Sequence, residues 1–105
     1  MSLRADNTLH TQDSFEYLRN GKQKFVIKPY CGKYASWEVG RIITIDNFTD
    51  SFEIKIKDVH FFNDLTAVFN KFGIKNITPN CETLEEALTY HQNISKKDEL
   101  IVFEF

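Results

Sequence analysis

Residues 20–41 read NGKQKFVIKPYCGKYASWEVGR, and the run Lys24-Phe25-Val26-Ile27-Lys28 inside them decides the fold. Successive strand residues face opposite sides, which puts Phe25 and Ile27 on one face and Lys24, Val26 and Lys28 on the other. Ahead of this strand, Asn20-Gly21 is a helix stop, because glycine enters the left-handed region without steric cost. Behind it, Pro29 cannot donate to a ladder and ends the regular pairing. Tyr30 to Trp37 reads as a loop, and Glu38-Val39-Gly40 as a tight turn into the next strand.

The same stretch concentrates charge. Between Arg19 and Arg41 there are six basic residues, Arg19, Lys22, Lys24, Lys28, Lys33 and Arg41, against Glu38 alone. That balance of +5 sits in a chain whose total is −2, so the other residues carry −7. A basic strand and loop on an acidic body is a place for an anion. The competing reading is a solubilising set of lysines on an exposed sheet face. An acidic pI of about 5.9 argues against broad affinity for nucleic acid, which grows with the number of phosphates neutralised.

Outward from this centre, Thr8-Leu9-His10 reads as a short strand, and Asp13-Ser14-Phe15-Glu16 as a capping box opening a brief helix. Arg41 to Asp46 alternates as a strand. After the turn Asn47 to Asp50, Ser51 to His60 is one long alternating run with Phe52, Ile54 and Ile56 inward, and the two strands form a hairpin. Asn63 caps a helix whose Leu65, Val68, Phe69 and Phe72 recur at helical spacing up to Gly73. Lys75 to Glu82 is a connector. Thr83-Leu84-Glu85-Glu86 is a second capping box, leading a helix with Leu84, Ala87, Leu88 and His91 on one stripe. Ser95 to Asp98 is a polar loop, and Leu100 to Phe105 a final strand with Ile101, Phe103 and Phe105 on one side.

At 105 residues the chain fits one domain. No apolar run reaches the ~20 residues that span a bilayer, and the first residues lack a secretory apolar centre. Cys31 and Cys81 read as unpaired thiols. His10, His60 and His91 lie on three different elements with no metal-ligand spacing, and the phosphate-loop, dinucleotide, serine-hydrolase and zincin motifs are absent. Tyr30, Tyr34 and Trp37 flank the basic loop as a base-stacking site would require, with Trp37 expected in the core and Tyr30 against a ligand.

A helix ending in Gly21, a basic strand from Lys22 to Lys28, the Val39-Gly40 turn into an apolar strand, Phe61 with Asn63-Asp64-Leu65, Thr83-Leu84-Glu85-Glu86-Ala87-Leu88 and the terminal Leu100-Ile101-Val102-Phe103-Glu104-Phe105 together resemble the ASCH domain, the activating signal cointegrator homology domain. The likeness runs from Leu9 to Phe105. It implies a β-barrel similar to the pseudouridine synthase and archaeosine transglycosylase (PUA) domain, with a cleft that binds RNA or nucleotides. Some bacterial members hydrolyse acetylated cytidine. The family's motif G-x-K-x-x-E-x-R is met at Gly21, while Gln23 takes the lysine position, Val26 the glutamate position and Lys28 the arginine position; Gly40-Arg41 replaces Gly-Asp. Hydrolysing members carry a lysine and a threonine at the positions of Gln23 and Val26. An amide is no base and an isopropyl group no nucleophile.

The expectation is therefore an α+β protein, a small, mostly antiparallel PUA-like (ASCH) barrel with about three helices packed on it, after a disordered tail over residues 1–7. Its expected role is noncatalytic binding of RNA or a nucleotide through Lys22, Lys24, Lys28, Tyr30, Lys33 and Arg41. Lys22 or Lys24 would have to replace the ammonium that Gln23 lacks, and Lys22, one residue out of register with position 23, faces the other side of the strand from it. A nucleoside amidohydrolase and a protein-interaction module are the alternatives. A monomer in the cytoplasm or another reducing compartment, with no membrane partner, cofactor or metal, completes the reading.

Overall fold

A computed structural model describes residues 7–94 and 99–105. The elements are β1 (Thr8–His10), α1 (Phe15–Arg19), β2 (Phe25–Pro29), a 3-10 turn (Gly32–Ser36), β3 (Ile42–Asp46), β4 (Ser51–Lys55), β5 (Asp58–Phe62), α2 (Leu65–Phe72), α3 (Ile74–Ile77), α4 (Leu84–Tyr90) and β6 (Leu100–Glu104). The tail assigned to residues 1–7 lies outside the described residues except for Asn7, whose carbonyl accepts from Thr44 N at 2.8 Å. The loop at Ser95 to Asp98 also lies outside them.

Among the described residues six strands form two three-stranded sheets, ordered β1-β3-β4 and β2-β6-β5. All pairings are antiparallel except β1 with β3. The second sheet is buried on both faces. Val26, Ile101 and Phe103 pack with Leu9, Phe15, Leu18, Trp37, Ile43, Ile45 and Ile56. On its other side Phe25, Ile27, Leu100 and Val102 pack with Val68, Phe69, Ile77 and Ala87 of the helices. Sheet, sheet and helices thus make three layers. Phe25-Val26-Ile27 is apolar without a break for that reason, and so is Leu100 to Phe103.

The alternating run from Ser51 to His60 is two strands, not one. It bends at Ile56-Lys57, where Ile56 N donates to Arg41 O at 2.9 Å and Lys57 N to Glu104 O at 2.7 Å, so the chain leaves one sheet and enters the other. The phase of the apolar positions shifts across the corner, from Phe52, Ile54 and Ile56 to Val59, with the polar pair Lys57-Asp58 between them. Gly40, at φ +88°, forms the turn that brings Arg41 to this corner.

Several local readings are corrected. Ser14, not Asp13, is the residue before α1, and its side chain makes no cap bond; Ser14 N donates instead to Thr11 Oγ1 at 3.1 Å. Asp64 rather than Asn63 caps α2, accepting from Thr66 N. The connector after Gly73 contains α3, which makes four helices among the described residues, and the loop after Tyr30 contains the 3-10 turn. The capping box at Thr83 and Glu86 is present in both directions. Trp37 is buried, and Cys31 and Cys81 are both free.

Candidate ligand-binding cleft

Among the described residues no pairing joins β1 to β2, and a cleft of about 420 Å³ lies where these two strands face one another. Leu9 and Thr11 come from the β1 side, Val26, Ile27, Lys28 and Pro29 from β2, and Asp13, Ser14 and Tyr17 from α1 and the turn before it. Ile77, Thr78 and Asn80 follow from α3 and the loop after it, and Tyr90, His91, Asn93 and Ile94 from the end of α4. The volume falls in the range of small-molecule sites.

Position 23 and alternate positions 26 and 28 all reach this cleft: Gln23, Val26 and Lys28 line it. Gln23 is 6% exposed and its Nε2 donates to Phe25 O at 2.9 Å, which pins the turn into β2. Lys28 is half-buried, with Nζ 5.5 Å from the centroid of the Tyr34 ring. Lys33 Nζ lies 5.6 Å from the same ring. Burial first, and then the positive charge of Lys33, push the Lys28 ammonium below its usual pKa.

Across the cleft, His91 Nε2 lies 2.9 Å from Thr78 Oγ1, and Thr78 is 2% exposed. Burial, followed by the charge of Lys28, lowers His91 to about 4, so the imidazole is neutral at pH 7. At the mouth, Tyr90 OH donates to Asp13 Oδ2 at 3.0 Å. Burial and then this bond raise the phenol to about 12. The cleft therefore offers one ammonium, one carboxylate already engaged by a phenol, a neutral imidazole, and several hydroxyl and amide groups. Such a lining suits a small polar guest with a single negative charge better than a run of phosphates.

The other anticipated residues lie elsewhere. Lys22 and Lys24 are exposed and do not line the cleft. Lys24 precedes the first paired residue of β2, so the alternation that carries Val26 and Lys28 inward does not reach it. Tyr30 meets Phe61 edge-on, with centroids 5.3 Å apart. Lys33 Nζ donates to the Thr8 carbonyl of β1, and Arg41 Nη1 donates to Asn7 Oδ1 at 3.2 Å. Arg19 pairs with Glu16 and Asp50. The +5 of the segment is thus spread over several surfaces, with Lys28 in the cleft wall and Lys33 beside it.

Sequence reasoning missed Asp13, Tyr17, Thr78, Asn80 and Tyr90 as lining residues. His91 alone left a signal, a titratable group continuing the apolar stripe of α4.

No protein-family model matches the chain, and no curated protein matches it in sequence. Among solved structures it is similar to the crystal structure of hypothetical protein PH0355, with a TM-score of 0.79 over 92% of each chain at 22% identity. It is also similar to the solution NMR structure of protein PF0455 from Pyrococcus furiosus, with a TM-score of 0.74 over 92% of each chain at 19% identity. At these identities the likeness is one of fold: a small α+β domain whose architecture this chain shares.

Proposed function

We propose that the protein is a noncatalytic binding module for RNA or a nucleotide, holding one nucleotide unit in the cleft between β1 and β2. The observation that carries this is the Lys28 ammonium in the wall of a cleft that Gln23 and Val26 also line. These are the positions at which an ASCH-type domain carries its motif. On the same reading the two sheets are the halves of a PUA-like barrel, joined at Ile56-Lys57 and open along the β1–β2 seam. Lys28 would meet the phosphate. The hydroxyl and amide groups of Tyr17, Thr78 and Asn80 are available to base or sugar edges, and a cleft of this volume favours a small guest over docking of a partner chain.

One ammonium neutralises one phosphate, so the salt dependence should be shallow. For single-stranded RNA, log K should fall against log salt with a slope of about −0.7. Titration of short RNAs and mononucleotides at two salt concentrations tests this. No binding at low salt, or binding indifferent to Lys28→Ala, removes the proposal.

A second reading, hydrolysis of an amide on a modified nucleoside such as acetylated cytidine, is favoured by the Thr78 and His91 pair. A hydroxyl within hydrogen-bond reach of a neutral imidazole is a nucleophile with a base. Turnover lost in Thr78→Val would support it; no turnover at high protein concentration would leave binding alone.

A further inference from the structure

At the far end of the β2-β6-β5 sheet, on its helix-facing side, Asp58 and Glu104 stand directly opposite one another, and His60 lies two residues along from Asp58 on the same face. His60 Nε2 is 3.1 Å from Glu104 Oε1 and 3.8 Å from Asp58 Oδ2, and one ligand atom from each of the three falls within 4.8 Å of the others. We propose that Asp58, His60 and Glu104 form a binding site for a divalent transition-metal ion, Zn²⁺ being the best match.

Ligands about 2.0–2.1 Å from a tetrahedral zinc stand roughly 3.3 Å from each other. The two separations from His60 bracket that value, so an ion needs only side-chain adjustment, and two carboxylates on neighbouring strands converge on one ring nitrogen. A plain ion pair would need one carboxylate. Here a second approaches the same nitrogen, and a single imidazole, even protonated, leaves the trio with net negative charge that a dication removes.

The surroundings orient the ligands. Val59 N donates to Asp58 Oδ1 at 2.8 Å, which leaves Oδ2 turned toward His60. The imidazole packs near Phe72 and Phe25, with centroids 4.9 and 6.5 Å away, so apolar rings back the ligand that must stay in place. Such fixing of ligands is what gives a metal site its affinity. Asp58, with 56% of its side chain exposed, leaves the outer side open for water to complete the coordination, as in sites with three protein ligands and one open position.

This site is separate from the cleft, so it stands or falls independently of nucleotide binding. Titration with Zn²⁺ by calorimetry, and with Co²⁺ by visible absorption, tests it in the full chain and in a Cys31→Ser variant that removes the exposed thiol. One saturable equivalent is expected in both. Losing a direct ligand should cost at least what losing a supporting partner costs, about 10–100-fold in affinity, so His60→Gln and Asp58→Asn should each weaken uptake by that much or more. Asp58→Asn lies at an exposed strand end and keeps the test valid if His60→Gln does not fold. No saturable uptake, uptake lost with Cys31→Ser, or uptake unchanged in Asp58→Asn would overturn the proposal.

Discussion

Tyr90 donates its hydroxyl to Asp13 across the mouth of the cleft, joining the end of α4 to the turn before α1 over 77 positions of chain. Neither helix is long, and this bond ties their ends together at the rim. Tyr90→Phe should cost about 1 kcal/mol, the typical value of an exposed side-chain hydrogen bond. For a domain of this size that is a drop in Tm of roughly 4–8 °C, readable by thermal unfolding.

The same phenol sets a limit at high pH. Folding raises its pKa from 10 to about 12, so the folded chain keeps a proton that the unfolded chain loses. The contribution is complete below pH 10 and disappears as pH rises through about 12. Denaturant midpoints measured across that window should fall less steeply in Tyr90→Phe than in the parent protein.

His91 works in the opposite direction. Its pKa is lowered from 6.5 to about 4, so the folded state favours the neutral ring. Stability is full above pH 6.5 and declines as pH falls toward 4, by an amount on the order of 3 kcal/mol. A proton NMR titration of the ring should place its midpoint well below that of a free histidine. Lys28→Met should move the midpoint upward by removing the neighbouring positive charge; an unmoved midpoint would mean that burial acts alone.

If the cleft is the binding site, Lys28→Ala should weaken nucleotide binding by about 1.5–3 kcal/mol, the worth of a hydrogen bond to a charged group. That is roughly 10–150-fold. Lys24→Ala, which removes an exposed ammonium outside the cleft, should change affinity by about twofold or less. Calorimetric titration of both variants with one nucleotide ranks them, and an equal loss would place the contact on the outer surface.

Thr83→Ala removes the side chain that accepts from Glu86 N at 3.2 Å and that stands in a reciprocal capping box. The cost should be about 1 kcal/mol. Chemical denaturation with an unchanged m-value would show that the cap alone was lost.

What could be read along the chain was whatever repeats with a local period or depends on a neighbour three residues away. The strand read at Lys24 to Lys28, the stripe of α2, the box at Thr83 and the terminal strand are all of this kind, because pleating and helical pitch write themselves into residue spacing. Pro29, expected to end the pairing, instead stays in β2 opposite Leu100, since the missing donor leaves its carbonyl and its neighbours free to pair. The corner at Ile56-Lys57 left only a slip in phase, from Phe52, Ile54 and Ile56 to Val59, and a slip in phase does not say that the chain changes sheet. Asp13 shows the limit in another way: its spacing from Glu16 satisfied the capping pattern, yet a tyrosine 77 positions later holds its carboxylate.

By itself, the order of residues determined seven of the eight regular segments it proposed, the eighth being two strands, together with the aromatic core with Trp37 inside it and the presence of a basic stretch ahead of Arg41. Only the tertiary structure decided which of those charges meet a cavity, namely Lys28 with Lys33 beside it, and that His60 stands between Asp58 and Glu104. The physical reason is that charge and ligand geometry depend on distances of 3–6 Å across strands far apart in the chain, and a linear pattern holds no term for which strands will be neighbours.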